Sequence, residues 1–332
     1  MSLTGLSFAL LDAIEEPALV VEAEKVIAAN NCALTLLGER IVGRDIRFVL
    51  RHPDALDIIL PGRGGSGEIG ALGGREQPWT IIVRPLPEGI QLVRLVDRSA
   101  TLSAERMRTD FVANASHELR TPLTTMIGYA ETLAEGGRIE EAIRVRFGAT
   151  IHREARRMMR IVEDLMSLSR IEADRFIPPL DAVALDEIAG IAADNARPLA
   201  RQRGCSMALS VEPAGPIAGD FTQLLQLADN LVGNAIRYGS AAADATITIA
   251  TLVEAGRAVL RVTDRGEGIA PEHLPRLTER FYRIDAARSR DSGGTGLGLS
   301  IVKHIAERHR ASLDIRSNVG RGTEVSVAFP LL

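Results

Sequence analysis

The chain has 332 residues, of which 46% are hydrophobic and 25% are charged, which is ordinary for a globular protein of two or three domains. Its formal net charge of −4 gives no argument for nucleic acid or an anionic membrane surface as a partner. The two cysteines, Cys32 and Cys205, lie far apart in sequence, so neither a disulfide framework nor a zinc site is indicated.

Several protein classes are excluded because their sequence patterns are missing. The best candidate for a membrane span is interrupted by Asp12 and Glu15, and no stretch approaches the roughly 18 apolar residues that a span requires. We therefore expect a cytoplasmic protein, with peripheral membrane association left open. The lack of a Gly-Lys dipeptide excludes a P-loop, and the lack of a His-Arg-Asp loop excludes a Ser/Thr/Tyr kinase fold.

Residues 1–98 have the pattern of a small α/β module. Two short apolar runs, residues 17–21 and 26–29, predict a hairpin. Asn30 then opens a helical stretch that should end near Gly38, because glycine suits a helix C-terminus.

The same module continues with a helix-like middle and a glycine-rich region at residues 62–74, which predicts a flexible turn region. Two further strands are predicted at residues 79–84 and 90–96. This order of elements resembles a PAS domain. The resemblance implies either a ligand-binding sensory module or one that only makes dimer contacts, and the sequence leaves both open.

Residues 99–175 predict two long helices joined by a glycine turn at residues 135–137. Each helix carries apolar residues three or four positions apart, from Met107 to Leu133 in the first and around Ile151 in the second. Both helices have apolar surface left to bury after they pack on each other. The pattern therefore predicts a homodimer that contains a four-helix bundle.

His117 lies off the apolar stripe of the first helix, so we expect its side chain to be exposed. Glu118 is beside it, Thr121 lies one turn further on, and Pro122 should free a carbonyl near Glu118. A histidine held in water beside a carboxylate is suited to react rather than to pack. On the second helix, an arginine cluster predicts a solvated basic face or a surface for an acidic partner; its members are Arg153, Arg156, Arg157 and Arg160.

Residues 176–332 follow a helix-breaking Pro178-Pro179 pair and alternate between helical and strand patterns. They predict an α/β sandwich, so the whole chain is expected to be a multidomain α+β protein. The predicted helices cover residues 185–203, 221–238 and 297–308, and the predicted strands cover residues 206–211, 246–252, 258–263, 312–316 and 324–329.

Four strings in this sandwich carry candidate binding residues. Asn230 and Asn234 share one helix face, so their amides can converge on one site. A strand runs into a tight glycine turn after Asp264, and residues 280–283 form an aromatic string. The glycine-rich residues 293–299 precede a helix, whose N–H groups and positive dipole end suit phosphate. No strand comes just before these glycines, which argues against a dinucleotide-binding fingerprint.

Together with His-Glu-Leu-Arg-Thr-Pro-Leu at residues 117–123, these strings resemble the ordered boxes of sensor histidine kinases of two-component systems, and most closely the phosphate-regulon group. The resemblance implies ATP as substrate, His117 as phospho-acceptor, Glu118 as general base and Thr121 as the residue that positions water for a phosphatase reaction. It also implies Mg²⁺ bound through Asn234 and a mobile lid at residues 284–292. The ATP-binding residues that it implies are Asn230, Asn234, Arg237, Tyr238, Asp264, Gly266, Gly268, Arg283, Thr295, Gly296, Leu297, Gly298 and Thr323.

The resemblance further implies three domains: a PAS-like sensory domain at 1–98, a dimerisation and phosphotransfer hairpin at 99–175, and a catalytic ATP-binding domain at 176–332. Its partners would be a second copy of the chain and a response regulator of the OmpR/PhoB-like type, with a membrane or adaptor protein that relays the signal left open. A phosphate-starvation response is the pathway that the resemblance favours. The alternative is a nucleotide-binding dimeric scaffold that regulates another kinase by contact.

Overall fold

The computed structural model describes residues 10–70, 72, 77–135, 139–239, 245–284 and 294–332. The chain divides into two compact units, Met1–Val112 and Ala113–Leu332, and each is described by itself. Within the described ranges, no helix is both long enough and apolar enough to cross a membrane.

The first unit contains a five-stranded antiparallel sheet with the strand order β2-β1-β5-β4-β3. The predicted hairpin, the first helix and the two later strands are all present. The core contains buried side chains such as Leu19, Ile46 and Ile81. The elements are β1 Ala18–Glu22, β2 Lys25–Ala29, α1 Asn31–Leu37, α2 Ile46–Val49, α3 Pro53–Ile59, β3 Gly65–Ile69, β4 Trp79–Pro85 and β5 Ile90–Asp97.

Asn30 ties the start of this unit together through its buried side chain. Its Oδ1 accepts hydrogen bonds from the N–H groups of Ala18 at 3.0 Å and Ala33 at 2.9 Å. Its Nδ2 donates to the carbonyl oxygens of Ile14 at 2.9 Å and Glu16 at 2.8 Å. One amide therefore caps α1 and fixes the segment that leads into β1.

The prediction of a flexible glycine-rich turn at residues 62–74 is wrong for β3, which pairs with β4 along its whole length. Gly67 has a packing role in this strand. A Cβ atom at Gly67 would lie 2.5 Å from Cδ1 of Ile58, so glycine lets α3 pack closely on the strand. Residues 71 and 73–76 of the predicted turn lie outside the described residues.

The second unit includes a helical hairpin built from α5 (Glu141–Ala173) and the part of α4 (Ser99–Ala134) that begins at Ala113. Pro122 lies inside α4, and the Thr121 hydroxyl donates to the carbonyl oxygen of His117 at 3.2 Å. The rings of Tyr129 and Phe147 meet across the hairpin with their centroids 4.7 Å apart. Of the predicted connecting turn, Glu135 is described, whereas residues 136–138 lie outside the described residues.

The remainder of the second unit is the predicted α/β sandwich, with helices packed on a sheet of order β11-β12-β10-β9-β7. The bounds of α6 and β7 equal the predicted ones, since Gly204 ends α6 in the left-handed conformation with φ of +68°. The small sheet formed by β6 and β8 was not predicted. The elements are β6 Ala182–Ala184, α6 Leu185–Arg203, β7 Ser206–Val211, β8 Pro216–Ala218, α7 Phe221–Gly239, β9 Thr246–Glu254, β10 Arg257–Thr263, α8 Gly298–Arg308, β11 Ser312–Asn318 and β12 Gly322–Pro330.

Replacing Asn30 by alanine should destabilise the first unit by about 2–3 kcal/mol, because it leaves buried donors and acceptors without partners. The neighbouring Asn31→Ala is the matched control, since Asn31 is exposed. Urea unfolding followed by the fluorescence of Trp79, the single tryptophan of the chain, measures the effect in this unit. Equal stability of the two variants would contradict the role assigned to Asn30.

Candidate active site

Many of the predicted nucleotide residues surround one cavity of about 1290 Å³ in the second unit. This volume is ample for a nucleotide, since ligand pockets typically measure about 300–1,000 Å³. Gly266 and Leu297 do not line the cavity wall. The predicted residues that do are Asn230, Asn234, Arg237, Tyr238, Asp264, Gly268, Arg283, Thr295, Gly296, Gly298 and Thr323.

Asp264 follows β10 and is only 8% exposed. Its Oδ1 accepts hydrogen bonds from the N–H groups of Gly266 at 2.9 Å and Thr323 at 3.2 Å. Burial raises the pKa of this carboxyl group, and the two backbone hydrogen bonds oppose the shift. Both bonds use Oδ1, so among the described residues Oδ2 keeps its capacity to accept a hydrogen bond from a ligand.

Two glycines allow the backbone to close tightly around Asp264. A Cβ atom at Gly322 would lie 2.1 Å from the carbonyl oxygen of Asp264. A Cβ atom at Gly268, where φ is +69°, would lie 1.9 Å from the carbonyl oxygen of Asn318. Gly268 and Gly322 are therefore required by close packing as well as by their backbone conformation.

The two asparagines of α7 lie one turn apart at the cavity wall. Oδ1 of Asn234 accepts a hydrogen bond from Nη1 of Arg237 at 3.2 Å. Oδ1 of Asn230 lies against Gly298, where an added Cβ atom would come within 2.9 Å. Burial lowers the pKa of Arg237, which indicates a poorly hydrated guanidinium beside these amides.

The glycine segment before α8 is held in place by the aromatic string. The N–H of Phe281 donates to the carbonyl oxygen of Gly296 at 2.8 Å. A Cβ atom at Gly296, where φ is +76°, would lie 2.9 Å from Cα of Phe281. Of the predicted lid at residues 284–292, the structure describes only Ile284, because residues 285–293 lie outside the described residues.

His117 is exposed on α4, as predicted. The adjacent Glu118 is held by two arginines that bind the same carboxylate oxygen. Oε2 of Glu118 lies 2.9 Å from Nη2 of Arg157 on α5 and 3.0 Å from Nη2 of Arg283. Since Arg283 also lines the nucleotide cavity, this ion pair joins the acceptor helix to the cavity.

The prediction that Arg157 belongs to a solvated basic face or to a surface for an acidic partner is wrong, because its side chain is only 8% exposed. The other arginines of that cluster are exposed, as expected. A pattern in the sequence could have revealed the buried position. One face of α5 repeats every three or four residues and mixes apolar with polar side chains, namely Arg157, Ile161, Asp164, Leu168 and Ile171.

This face of α5 contacts the nucleotide-binding part of the unit through further polar pairs that the sequence reasoning missed. The Thr295 hydroxyl donates to Oδ2 of Asp164 at 2.7 Å, and the Ser167 hydroxyl donates to Oε1 of Gln226 at 2.7 Å. Glu172 forms an ion pair with Arg280. The hairpin and the nucleotide cavity thus belong to one packed arrangement.

Family models match both parts of this arrangement. A model described as "His Kinase A (phospho-acceptor) domain" matches residues 107–174. A model described as "Histidine kinase-, DNA gyrase B-, and HSP90-like ATPase" matches residues 219–332. The two matches cover the hairpin that carries His117 and most of the α/β sandwich.

Two relatives agree with these models. The chain is 31% identical over 341 residues to the sensor-like histidine kinase SenX3 of Mycolicibacterium smegmatis, with 99% of this chain and 84% of the relative covered. It is 40% identical over 242 residues to the phosphate regulon sensor protein PhoR of Pseudomonas aeruginosa, which covers 73% of this chain and 54% of PhoR. The chain therefore belongs to the sensor histidine kinases, and it spans about half the length of PhoR.

A solved structure shows the same fold. The histidine kinase AdeS of Acinetobacter baumannii superposes with a TM-score of 0.52 at 22% identity and covers 65% of this chain and 98% of AdeS. The helical hairpin and α/β sandwich described above are thus the fold of a known histidine kinase.

Replacing Arg157 by methionine should destabilise the second unit by about 1–3 kcal/mol, because the buried side of the Glu118 carboxylate loses a charged partner. Arg157→Lys should restore part of this loss, and the exposed Arg156→Met is the matched control. Urea unfolding followed by circular dichroism measures each variant. If Arg157→Met were as stable as Arg156→Met, the ion pair would not stabilise the fold.

Proposed function

We propose that this chain is an ATP-dependent histidine autokinase that transfers the γ-phosphoryl group of ATP to Nε2 of His117. The observation that carries the proposal is the position of Arg283. This residue lines the nucleotide cavity and also forms an ion pair with Glu118, the neighbour of His117. A single side chain therefore connects the proposed phosphoryl donor with the proposed acceptor.

The adenine end of ATP is assigned to Asp264 and Tyr238. The free Oδ2 acceptor of Asp264 would take a hydrogen bond from the adenine amino group, and Tyr238 would lie beside the base. Gly266 and Gly268 are assigned to the turn that brings the backbone near the base, and Thr323 on β12 is assigned to the same end of the site, beside Asp264. The phosphates are assigned to the N-terminal end of α8, where Thr295, Gly296, Leu297 and Gly298 surround the first N–H groups of the helix.

Mg²⁺ fits the amide oxygens of this wall. Carboxamide oxygen is a hard ligand of the kind that Mg²⁺ prefers, and Asn234 presents one at the cavity beside Asn230. Oδ1 of Asn234 accepts a hydrogen bond from Arg237 in the structure, so binding of the metal would require Arg237 to turn away from this oxygen and towards a phosphate. When bound, Mg²⁺ would neutralise charge on the phosphates.

At the acceptor, the neutral imidazole of His117 is the nucleophile. As the N–P bond forms, the bond between the γ-phosphorus and the bridging oxygen breaks and ADP leaves. Glu118 accepts the Nδ1 proton, which prevents positive charge from building up on the ring. Arg283 moves from Glu118 to the γ-phosphoryl group, and Thr121 positions water in the reverse, phosphatase reaction.

We further propose a domain at 1–98 of the PAS type that senses the signal, a dimerisation hairpin at 99–175 and a catalytic domain at 176–332. The exposed apolar side chains of the hairpin support a homodimer, since such a patch marks an interaction surface. They include Leu123, Ile127, Val145, Met159, Val162 and Met166.

The phosphoryl group would pass from His117 to an aspartate of a response regulator of the OmpR/PhoB-like type. The 40% identity to a protein named for the phosphate regulon supports a phosphate-starvation response as the pathway.

Incubation with γ-labelled ATP and Mg²⁺ should label the wild-type protein, and the label should be lost in acid and stable in alkali, as expected for phosphohistidine. His117→Ala removes the nucleophile and Asn234→Ala removes the metal ligand, so neither variant should be labelled. Label that survives on His117→Ala would show that the acceptor is assigned wrongly. A wild-type protein that binds ATP without becoming labelled would favour the scaffold alternative.

Asp264→Asn should weaken ATP binding by about 10–100-fold, because an amide N–H₂ replaces the Oδ2 acceptor opposite the adenine amino group. The variant should keep its thermal midpoint, since the cost of burying the charge is removed. It should also discriminate less between ATP and GTP, because guanine presents an acceptor at the corresponding position. Asp314→Asn, at an exposed position on β11, is the control; unchanged ATP affinity in Asp264→Asn would refute the assignment.

A further inference from the structure

A carboxylate of the hairpin forms part of the nucleotide cavity wall. Asp164 lies on α5 between the buried residues Ile161 and Leu168, on the face that packs against the nucleotide-binding part of the unit. It lines the same cavity as Asn234 and Gly296. An acidic side chain at this place is unexpected, because the cavity is proposed to receive the most highly charged part of ATP.

Asp164 makes a specific contact with the glycine segment. Its Oδ2 accepts a hydrogen bond from the Thr295 hydroxyl at 2.7 Å. The same hydroxyl oxygen accepts the N–H of Leu297 at 3.2 Å, so Thr295 uses both its donor and its acceptor capacity within this arrangement. Thr295 is 9% exposed, and the bond therefore tethers a buried loop to α5.

The surroundings of Asp164 hydrate its charge poorly. Desolvation raises the pKa of the Asp164 carboxyl group, whereas the Thr295 hydrogen bond and the charges of Arg237 and Arg160 oppose this shift. The nearby charge of Glu163 adds to the increase. In such surroundings a second group of negative charges is screened weakly, so repulsion between Asp164 and a bound triphosphate is strong.

We propose that Asp164 opposes phosphate binding in the nucleotide site: its carboxylate holds Thr295 when the site is empty and is displaced by the phosphate charge of an entering nucleotide. The inference rests on the proposed function, because it requires nucleotide to bind in this cavity. If this is so, phosphate cannot bind at the N-terminal end of α8 while α5 is attached to the glycine segment. Each of these two states excludes the other.

Through this exclusion, ATP binding would release Arg283 from Glu118, the neighbour of His117. As long as α5 is attached through Asp164, Arg283 remains close to Glu118, since both contacts hold the same parts of the unit together. Release of Thr295 by the phosphates loosens this attachment. Arg283 is then free to exchange the carboxylate for the γ-phosphoryl group.

The test compares the affinities of AMPPNP, a non-hydrolysable ATP analogue, and adenosine by calorimetry in the presence of Mg²⁺. Asp164→Asn keeps an acceptor for Thr295 but removes the charge, so AMPPNP should bind about tenfold more tightly. Adenosine carries no phosphate, and its affinity should change by less than about twofold. Glu141→Gln removes the same charge from an exposed position on α5 that does not line the cavity, and it should leave both affinities within about twofold of wild type.

Three outcomes would overturn the inference. Equal AMPPNP affinity in wild type and Asp164→Asn would show that Asp164 does not oppose phosphate. An equal gain for AMPPNP and adenosine would show a general loosening of the unit instead of a response to charge. Failure of the wild type to bind AMPPNP would overturn the proposed function and this inference with it, and this result is distinguishable from the first two.

Hydrogen exchange on the wild type provides a second measurement that does not depend on a variant that folds. Addition of AMPPNP should speed the exchange of amides in the part of α5 around Asp164, because a helix that loses its packing partner loses protection. Adenosine at saturating concentration should have no such effect. Unchanged or slower exchange in this segment with AMPPNP would contradict displacement of α5.

Discussion

The Oε2 atom of Glu118 is the point at which the hairpin and the nucleotide cavity meet. Arg157 reaches it from α5 at 2.9 Å and Arg283 reaches it from the cavity at 3.0 Å. Arg157 belongs to the same hairpin as Glu118 and can remain there during a reaction cycle. Arg283 contacts Glu118 through Nη2, and in the proposed reaction this side chain exchanges the carboxylate for the γ-phosphoryl group. An exchange between two anions is a suitable basis for a two-state switch, because it replaces one ion pair by another.

The cavity depends on close approaches of the backbone as much as on side chains. Asp264 is fixed because Gly322 and Gly268 permit main-chain contacts that no other residue would allow. Gly296 does the same for the contact between the glycine segment and Phe281. Segments that are far apart in the sequence are thereby held at one site. Such a framework leaves the polar groups of Asp264, Asn234 and Thr295 fixed in place before a nucleotide arrives.

Local signals in the sequence predicted much of this architecture. Where the prediction failed, the failure has a physical cause. The bounds of α6 agree with the predicted ones, and Gly204 in the left-handed conformation caps its end. The strand β3 was missed since glycine usually indicates a turn, whereas here Gly67 makes room for Ile58. The spacing along α5 marks the face on which Arg157 lies, but its partner, Glu118, is 39 residues away, so the ion pair that covers Arg157 could not be predicted from local signals. The motif strings led to the residues around the cavity, but the contacts between the cavity and α5 required the fold.

The measurement that tests the central claim most directly is the location of the phosphoryl group among the six histidines of the chain. The protein would be incubated with ATP and Mg²⁺, digested at alkaline pH and analysed by fragmentation mass spectrometry under conditions that preserve phosphohistidine. We predict that the modified peptide is the one that contains His117, with the phosphoryl group on that residue. Modification of any other histidine, with His117 unmodified, would contradict it.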